Sequence, residues 1–375
     1  MDSVALDDWL QQGESRARAL PNRGPIDFDE DGSLASDILA AYTEFGFYVF
    51  EQVVSISELD ELRADIDDLL QRAPWPDKRS EVDRFGRPAA GLDMARNPWY
   101  MAAPLSDPWG GTTLLNGRHQ VKMPEPAVAV DAPEHVPFMV GNMLELSEPY
   151  LRVFGHPGLL RIAEAINGPD FTPFTDVLFV KEPGVGPSVA WHQDGQTHWN
   201  SPEWDAFSHG FNMQLQLYGS SPTSGVWVVP GSHVEGKIDI RERVTANGGD
   251  QRLPDAVPLV CEPGDLTMVN RQMLHGSFAN ASQDRRVTVN FGFHKYASVI
   301  DQRGALNGEG KYYDADYVRE RCRTIPLAID ARAQRFPDEE RYEYAPFVGD
   351  EAAHEYTPEN RDRILTDYSL RDLSI

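Results

Sequence analysis

Positive charge is scarce in this 375-residue chain: 34 Lys and Arg stand against 59 Asp and Glu, a formal net charge of -25. Nucleic-acid backbones and anionic membrane surfaces repel such a chain, which argues against both as main partners but leaves room for a local basic pocket that takes a small anion. Cysteine is scarcer still. With only Cys261 and Cys322, neither a disulfide framework nor a thiolate zinc cluster can organise the fold. No apolar run approaches the roughly 20 residues that span a bilayer. The opening "MDSVALDDWLQQGESRARAL" is acidic early and has no apolar core of signal-peptide length. Asn280-Ala281-Ser282 fits a glycosylation sequon, which carries no weight without a secretory signal. The chain reads as cytoplasmic, with no internal repeat and no low-complexity segment. What remains is an ordinary globular composition, 41% hydrophobic and 25% charged, enough for a sizeable core in one large domain or two medium ones.

"SISELDELRADIDDLL" is an amphipathic helix in which Leu59, Leu62, Ile66, Leu69 and Leu70 share one face. Ser55 and Ser57 each offer an N-cap, with Glu58 or Asp60 three residues on. "GFYVFEQVV" before it reads as a strand. From about Ala73 to Pro137 the periodicity fails, and Pro, Gly and charge dominate. Irregular stretches of that length are lids or disordered segments, and Trp75, Trp99 and Trp109 favour an ordered lid. Helical patterning returns in "MLELSEPYLRVFGHPGLLRIAEAINGPDF", with Gly168 as a stop signal. Short β-type runs follow: "TDVLFVKEP", "FNMQLQLYG", "GVWVVPGSH", "DLTMVN" and "RRVTVNFGFHKY". Their spacing and turn residues predict a sandwich, jelly roll or barrel. After Ala305 come weaker helical stretches around "YYDADYVRERCR" and "DARAQRF".

Within "VAWHQDGQTHW", His192 stands two residues before Asp194. Alone this spacing says little. Downstream, His275 ends one strand and Arg286 opens the next, and a jelly roll brings such distant strands side by side. Two imidazoles and one carboxylate on one face of an octahedral iron leave three positions open, and a guanidinium can grip a carboxylate through two parallel hydrogen bonds.

From about Ala40 to Tyr296 the sequence resembles the phytanoyl-CoA dioxygenase family of Fe(II)- and 2-oxoglutarate-dependent oxygenases, which includes ectoine hydroxylase. The resemblance is carried by "GFYVFEQVVSISELDELRADID", "PYLRVFGHPGLLRIAEAINGPD", "WHQDG", "SGVWVVPGSH" and "HGSFANASQDRR", in that order. It implies a mainly β fold with flanking helices and a double-stranded β-helix (jelly-roll, cupin-like) core. It implies His192, Asp194 and His275 as iron ligands, Arg286 as the anchor of the distal 2-oxoglutarate carboxylate, and Ser277 as its assistant. Arg285 is the neighbour that a strand turns the other way. Where ectoine hydroxylase has a Gln on the strand before the metal pair, this chain has Asp176 or Thr175. The implied activity is hydroxylation of an unactivated C–H bond of a small molecule, or a related desaturation or ring formation, with O2 consumed and succinate and CO2 released. A homo-oligomer is compatible with the sequence.

Other signals are weighed beside these. Trp191, Gln196, His198, Trp199, Trp99 and Tyr100 are substrate-pocket candidates, although aromatic residues beside a core strand are more often core. His198 and His209 read as pocket-lip or surface residues, and His233 in "PGSH" as structural. "DFDEDGS" begins like a calcium loop, but Ile38 stands where its bidentate Glu belongs, leaving a solvated acidic loop. "GVGPSV" is not a dinucleotide fingerprint, and Lys122 reads as a solvated lysine. The organisation expected is an N-terminal extension over 1–35, an oxygenase domain over 36–300 with a lid-like insertion at about 73–137, and a C-terminal extension over 301–375 packed on or near the core. The competing readings are a jelly-roll metal protein that is no oxygenase (an isomerase or a binding module) and a protein-modifying hydroxylase.

Overall fold

β-branched and aromatic residues build two sheets whose strands come from distant parts of the chain. A computed structural model describes residues 3–195, 201, 204–304 and 310–371. In chain order the strands are β1 (Arg23–Gly24), β2 (Phe47–Phe50), β3 (Trp99–Ala102), β4 (Val136–Val140), β5 (Thr172–Lys181) and β6 (Val189–His192). They continue with β7 (Gly210–Gln216), β8 (Trp227–Val228), β9 (Val257–Pro258), β10 (Leu266–Asn270), β11 (His275–Ser277) and β12 (Arg286–His294). The larger sheet runs β1-β2-β10-β7-β12-β5-β4-β3 and the smaller β6-β11-β8-β9. Among the described residues every strand pairing is antiparallel except β1 with β2.

On β5 and β12, alternate residues split between two environments. Leu178, Val287, Val289 and Phe291 enter the main core under the helices. Val177, Phe179, Lys181, Arg286 and Asn290 line a cavity bordered by both sheets. The period-2 geometry of a strand imposes that division.

Helices flank the sheets and hold more residues than the strands do. The helix Ile56–Gln71 starts at Ser55, whose hydroxyl accepts from the Glu58 amide at 3.2 Å, and it buries Leu59, Leu62, Ile66 and Leu69. The expected helical run from Met143 breaks into Met143–Leu146, Glu148–Phe154 and Pro157–Asn167. Ser147 caps the second piece, accepting from the Tyr150 amide at 3.1 Å, and Pro157 forces a new start. Gly168 ends the third. The first helix, Ser3–Ala19, covers the smaller sheet, with Trp9 stacked on Trp227 at 3.7 Å. Helices Ala315–Cys322 and Thr324–Arg335 bury Val318, Ile325, Leu327 and Ala328 in the same core as β5 and β12. No helix among the described residues is long and apolar enough to cross a membrane.

Candidate metal centre

The strand ladder places the two histidines. β6 pairs with β11 so that His192 lies opposite His275, and their rings sit 4.1 Å apart. Gly276 permits this close approach: a side chain there would meet the Trp191 amide nitrogen and the Val189 carbonyl at 3.1 Å. Asp194 follows just after β6, and its amide donates to the Arg271 carbonyl at 2.8 Å. Its Oδ1 is 3.6 Å from His192 Nε2 and its Oδ2 3.9 Å from His275 Nε2. One donor atom from each of the three buried residues lies within 4.8 Å of the others.

The rings are oriented from behind. His192 Nδ1 is 2.8 Å from the Ala190 carbonyl, and His275 Nδ1 is 2.9 Å from the Met273 carbonyl. A carbonyl only accepts, so each Nδ1 carries the hydrogen and each Nε2 keeps its lone pair for a cation. Burial, reinforced by neighbouring His192, pushes His275 down to about 3, so it is neutral near pH 7. Burial works to raise the Asp194 carboxyl, but Arg118, His192, Arg271 and His275 together hold it well below the usual carboxylate range. Arg118 Nη1 donates to Asp194 Oδ1 at 2.9 Å and Asn212 Nδ2 to Oδ2 at 2.8 Å. Two imidazoles and an ionised carboxylate thus converge on one point, and the carboxylate is braced from outside.

These residues open into a cavity of about 280 Å³ lined also by Tyr100, Trp109, Lys181, Ser277 and Arg286. Arg286 is 3% exposed. Among the described residues its guanidinium makes one hydrogen bond, a long 3.5 Å contact to the Ser224 carbonyl, and Nε makes none. No carboxylate pairs with it among the described residues, and burial lowers its pKa to about 10. Lys181, its register partner on β5, donates to the Phe278 carbonyl at 2.5 Å. Arg285 points the other way, into ion pairs with Asp67 at 2.7 Å and Glu182 at 2.9 Å. Ser277 lies two residues beyond His275, across a register shift in β11, and is buried against the cavity.

The remaining expectations divide. Tyr100 faces the cavity, but Trp99 does not: it is 3% exposed in the main core, and its Nε1 donates to the Ala90 carbonyl at 2.8 Å. Trp191 is no pocket residue either. As the strand neighbour of His192 it turns to the opposite face, fully buried in a second apolar cluster, with Nε1 on the Gln251 carbonyl at 2.8 Å. Gln196, His198 and Trp199 lie outside the described residues. His209 is not at a lip but fully buried, its Nδ1 3.0 Å from the Asp205 carbonyl. Thr175 lines the cavity, whereas Asp176 accepts from the Leu144 amide at 3.2 Å. His233 braces Thr43, Nε2 to carbonyl, at 3.1 Å. Lys122 is exposed and pairs with Glu125 at 3.1 Å. Sequence reasoning missed Arg118, Asn212 and Lys181. Alternation along β7 and β5 could have flagged the last two, while no local pattern marks Arg118.

Two imidazoles and a carboxylate opening on a cavity between antiparallel sheets form the donor set of the non-haem iron oxygenases. Residues 42–288 match the phytanoyl-CoA dioxygenase (PhyH) family, and the chain belongs to it. Phytanoyl-CoA dioxygenase 1 of Oryza sativa subsp. japonica is 30% identical over 131 residues, 33% of this chain and 43% of that protein, so the match spans less than half of the relative's length. Phytanoyl-CoA dioxygenase of Arabidopsis thaliana is 22% identical over 265 residues, 68% of this chain and 87% of that protein. Among solved structures, EctD from S. alaskensis with 2-oxoglutarate and 5-hydroxyectoine is 16% identical at a TM-score of 0.48, covering 73% of this chain and 80% of that one.

Proposed function

We propose that this protein is an Fe(II)- and 2-oxoglutarate-dependent dioxygenase that hydroxylates an unactivated C–H bond of a small molecule, its two sheets forming a double-stranded β-helix around the site. His192, Asp194 and His275 would hold the iron. Their chemistry fits: two imidazoles whose Nδ1 atoms face carbonyls, leaving Nε2 toward the site, and one ionised carboxylate suit Fe(II), which tolerates mixed nitrogen and oxygen donors. With 2-oxoglutarate and O2, the bound metal supplies the oxidising chemistry, releasing succinate and CO2 and putting one oxygen atom into the substrate.

The observation that carries this reading is Arg286. A guanidinium buried without a carboxylate, in the same cavity as the metal donors, is a site that lacks its anion. The distal carboxylate of 2-oxoglutarate supplies that anion, with Ser277 donating a further hydrogen bond. A metal isomerase or binding module on the same fold has no use for such an arginine. The rest of the chain binds, orients and excludes water. Tyr100, Trp109 and Leu115, from the irregular segment before β4, line the cavity and act as its lid.

The test is to incubate the protein with Fe(II), 2-oxoglutarate and O2 across a metabolite panel while measuring succinate, O2 uptake and product mass. Failure to bind 2-oxoglutarate in the presence of the metal would sink the proposal.

A further inference from the structure

The loop from Asp107 to Met123 is closed on itself at its neck. Asp107, 5% exposed, accepts from the Gly110 amide at 2.8 Å and the Met123 amide at 2.8 Å, and the Gly111 amide donates to the His119 carbonyl at 2.8 Å. From this neck, two consecutive residues each reach a different member of the metal donor set. Arg118 donates to Asp194 Oδ1 at 2.9 Å. His119 lays its ring 4.4 Å from that of His192 and 5.3 Å from that of Trp109. His119 is fully buried, and neither of its ring nitrogens has a hydrogen-bond partner among the described residues. The contact is thus held from one side by a charged hydrogen bond and opposed on the other by an imidazole that water would serve better. Such a balance is easily tipped.

We infer that Arg118 is a positioning residue that stands in for the metal's charge at Asp194, and that through it the Asp107–Met123 loop senses what the metal site holds. The inference rests on the ligand set proposed above. Without a cation, the carboxylate and guanidinium neutralise each other and the loop is held down. A divalent ion on the same carboxylate places two cations around one anion, so Arg118 loses its grip and the loop loosens. Binding of 2-oxoglutarate brings a carboxylate to the metal, lowers the local positive charge, and lets Arg118 close again. The loop then shuts over a site that holds both metal and cosubstrate. Linkage makes the effect reciprocal: if the metal weakens Arg118's contact, Arg118 weakens binding of the metal alone by the same factor.

Hydrogen exchange of the full-length protein reads this without turnover, using Mn(II) as the probe. Amides of 107–123 are expected to exchange slowly in the metal-free protein, at least several-fold faster with Mn(II), and slowly again with Mn(II) plus 2-oxoglutarate. In Arg118→Met the same amides exchange fast in all three states, and calorimetry gives a Kd for Mn(II) alone several-fold tighter than wild type. Arg118→Lys, which keeps the charge, retains the wild-type pattern and controls for a folding defect. Loop exchange in the wild type that ignores Mn(II), or weaker Mn(II) binding by Arg118→Met, overturns the inference. If the wild type binds no Mn(II), or His192→Ala binds it equally well, it is the metal-site reading itself that has failed.

Discussion

At the scale of single residues, the site depends on groups whose chemical form is set by one neighbour each. The Nδ1 contacts to Ala190 and Met273 turn His192 and His275 into Nε2 donors. Removing either ring leaves two ligands, which rarely retain Fe(II). His192→Ala and His275→Ala are expected to abolish metal binding measured by calorimetry with Mn(II), and succinate formation with it. Arg286→Lys keeps a charge but loses the planar fork, so the Kd for 2-oxoglutarate should rise by about tenfold or more. Arg285→Lys disturbs contacts outside the cavity, the ion pairs with Asp67 and Glu182 and the packing over Tyr218, and should leave that Kd within about twofold. A reversal of the two effects would show that the inward register of β12 is off by one residue.

At the scale of elements, the stretch from Ala73 to Pro137 is not uniform. Strand alternation in β3 sends Trp99 to the core and Tyr100 to the cavity. Trp99→Ala opens a void and breaks the hydrogen bond to Ala90, so it should cost about 3–5 kcal/mol. That loss would appear as a lower Tm, with the ratio of succinate to product unchanged. Tyr100→Ala, at 43% exposure, should leave Tm nearly unchanged while raising KM for the substrate or releasing succinate without product. Measuring both quantities on both variants decides the matter: an unstable but fully coupled Tyr100→Ala would assign Tyr100 to the core. A segment without helical or strand periodicity could be recognised as irregular and rich in tryptophan. Which of its aromatic residues faced inward depended on the pairing of β3 with β4.

At the scale of the whole molecule, stability should be pH-dependent through imidazoles that packing shields from water. Burial, with Arg332 nearby, pushes His156 down from 6.5 to about 3, and its Nδ1 accepts from the Gly158 amide at 3.1 Å to cap the helix Pro157–Asn167. Protonation would remove that acceptor. Between pH 6.5 and about 3 the unfolded chain binds a proton that the folded chain does not. Stability is therefore intact above this window and falls as pH drops through it, by about 1.4 kcal/mol per pH unit for each such histidine. His209, also pushed to about 3 by burial, adds to the slope. His156→Asn keeps a capping acceptor and removes the titration. Urea melts at pH 7, 6 and 5 should show nearly wild-type stability at pH 7 and a shallower decline below it. An unchanged slope would mean that His156 takes up its proton equally in the folded and unfolded chain.

The sequence by itself determined what depends on neighbours a few residues apart. Ser55 and the apolar face of its helix follow a local period, as do the alternation of β5 and β12 and the stop at Gly168. That His192, Asp194, His275 and Arg286 share one cavity was legible because their spacing and flanking strands form a family pattern. Tertiary structure decided the rest. Arg118 meets Asp194 across 76 residues and Arg332 meets Glu58 across 274, and no local period marks either cation for its partner. The C-terminal helices join the main core although their own patterning is weak. These outcomes are settled by which buried charges find counter-charges and which apolar faces find cover once the sheets have paired. That is a property of the packed molecule, because burial fixes the cost of leaving a charge or an apolar face unmatched.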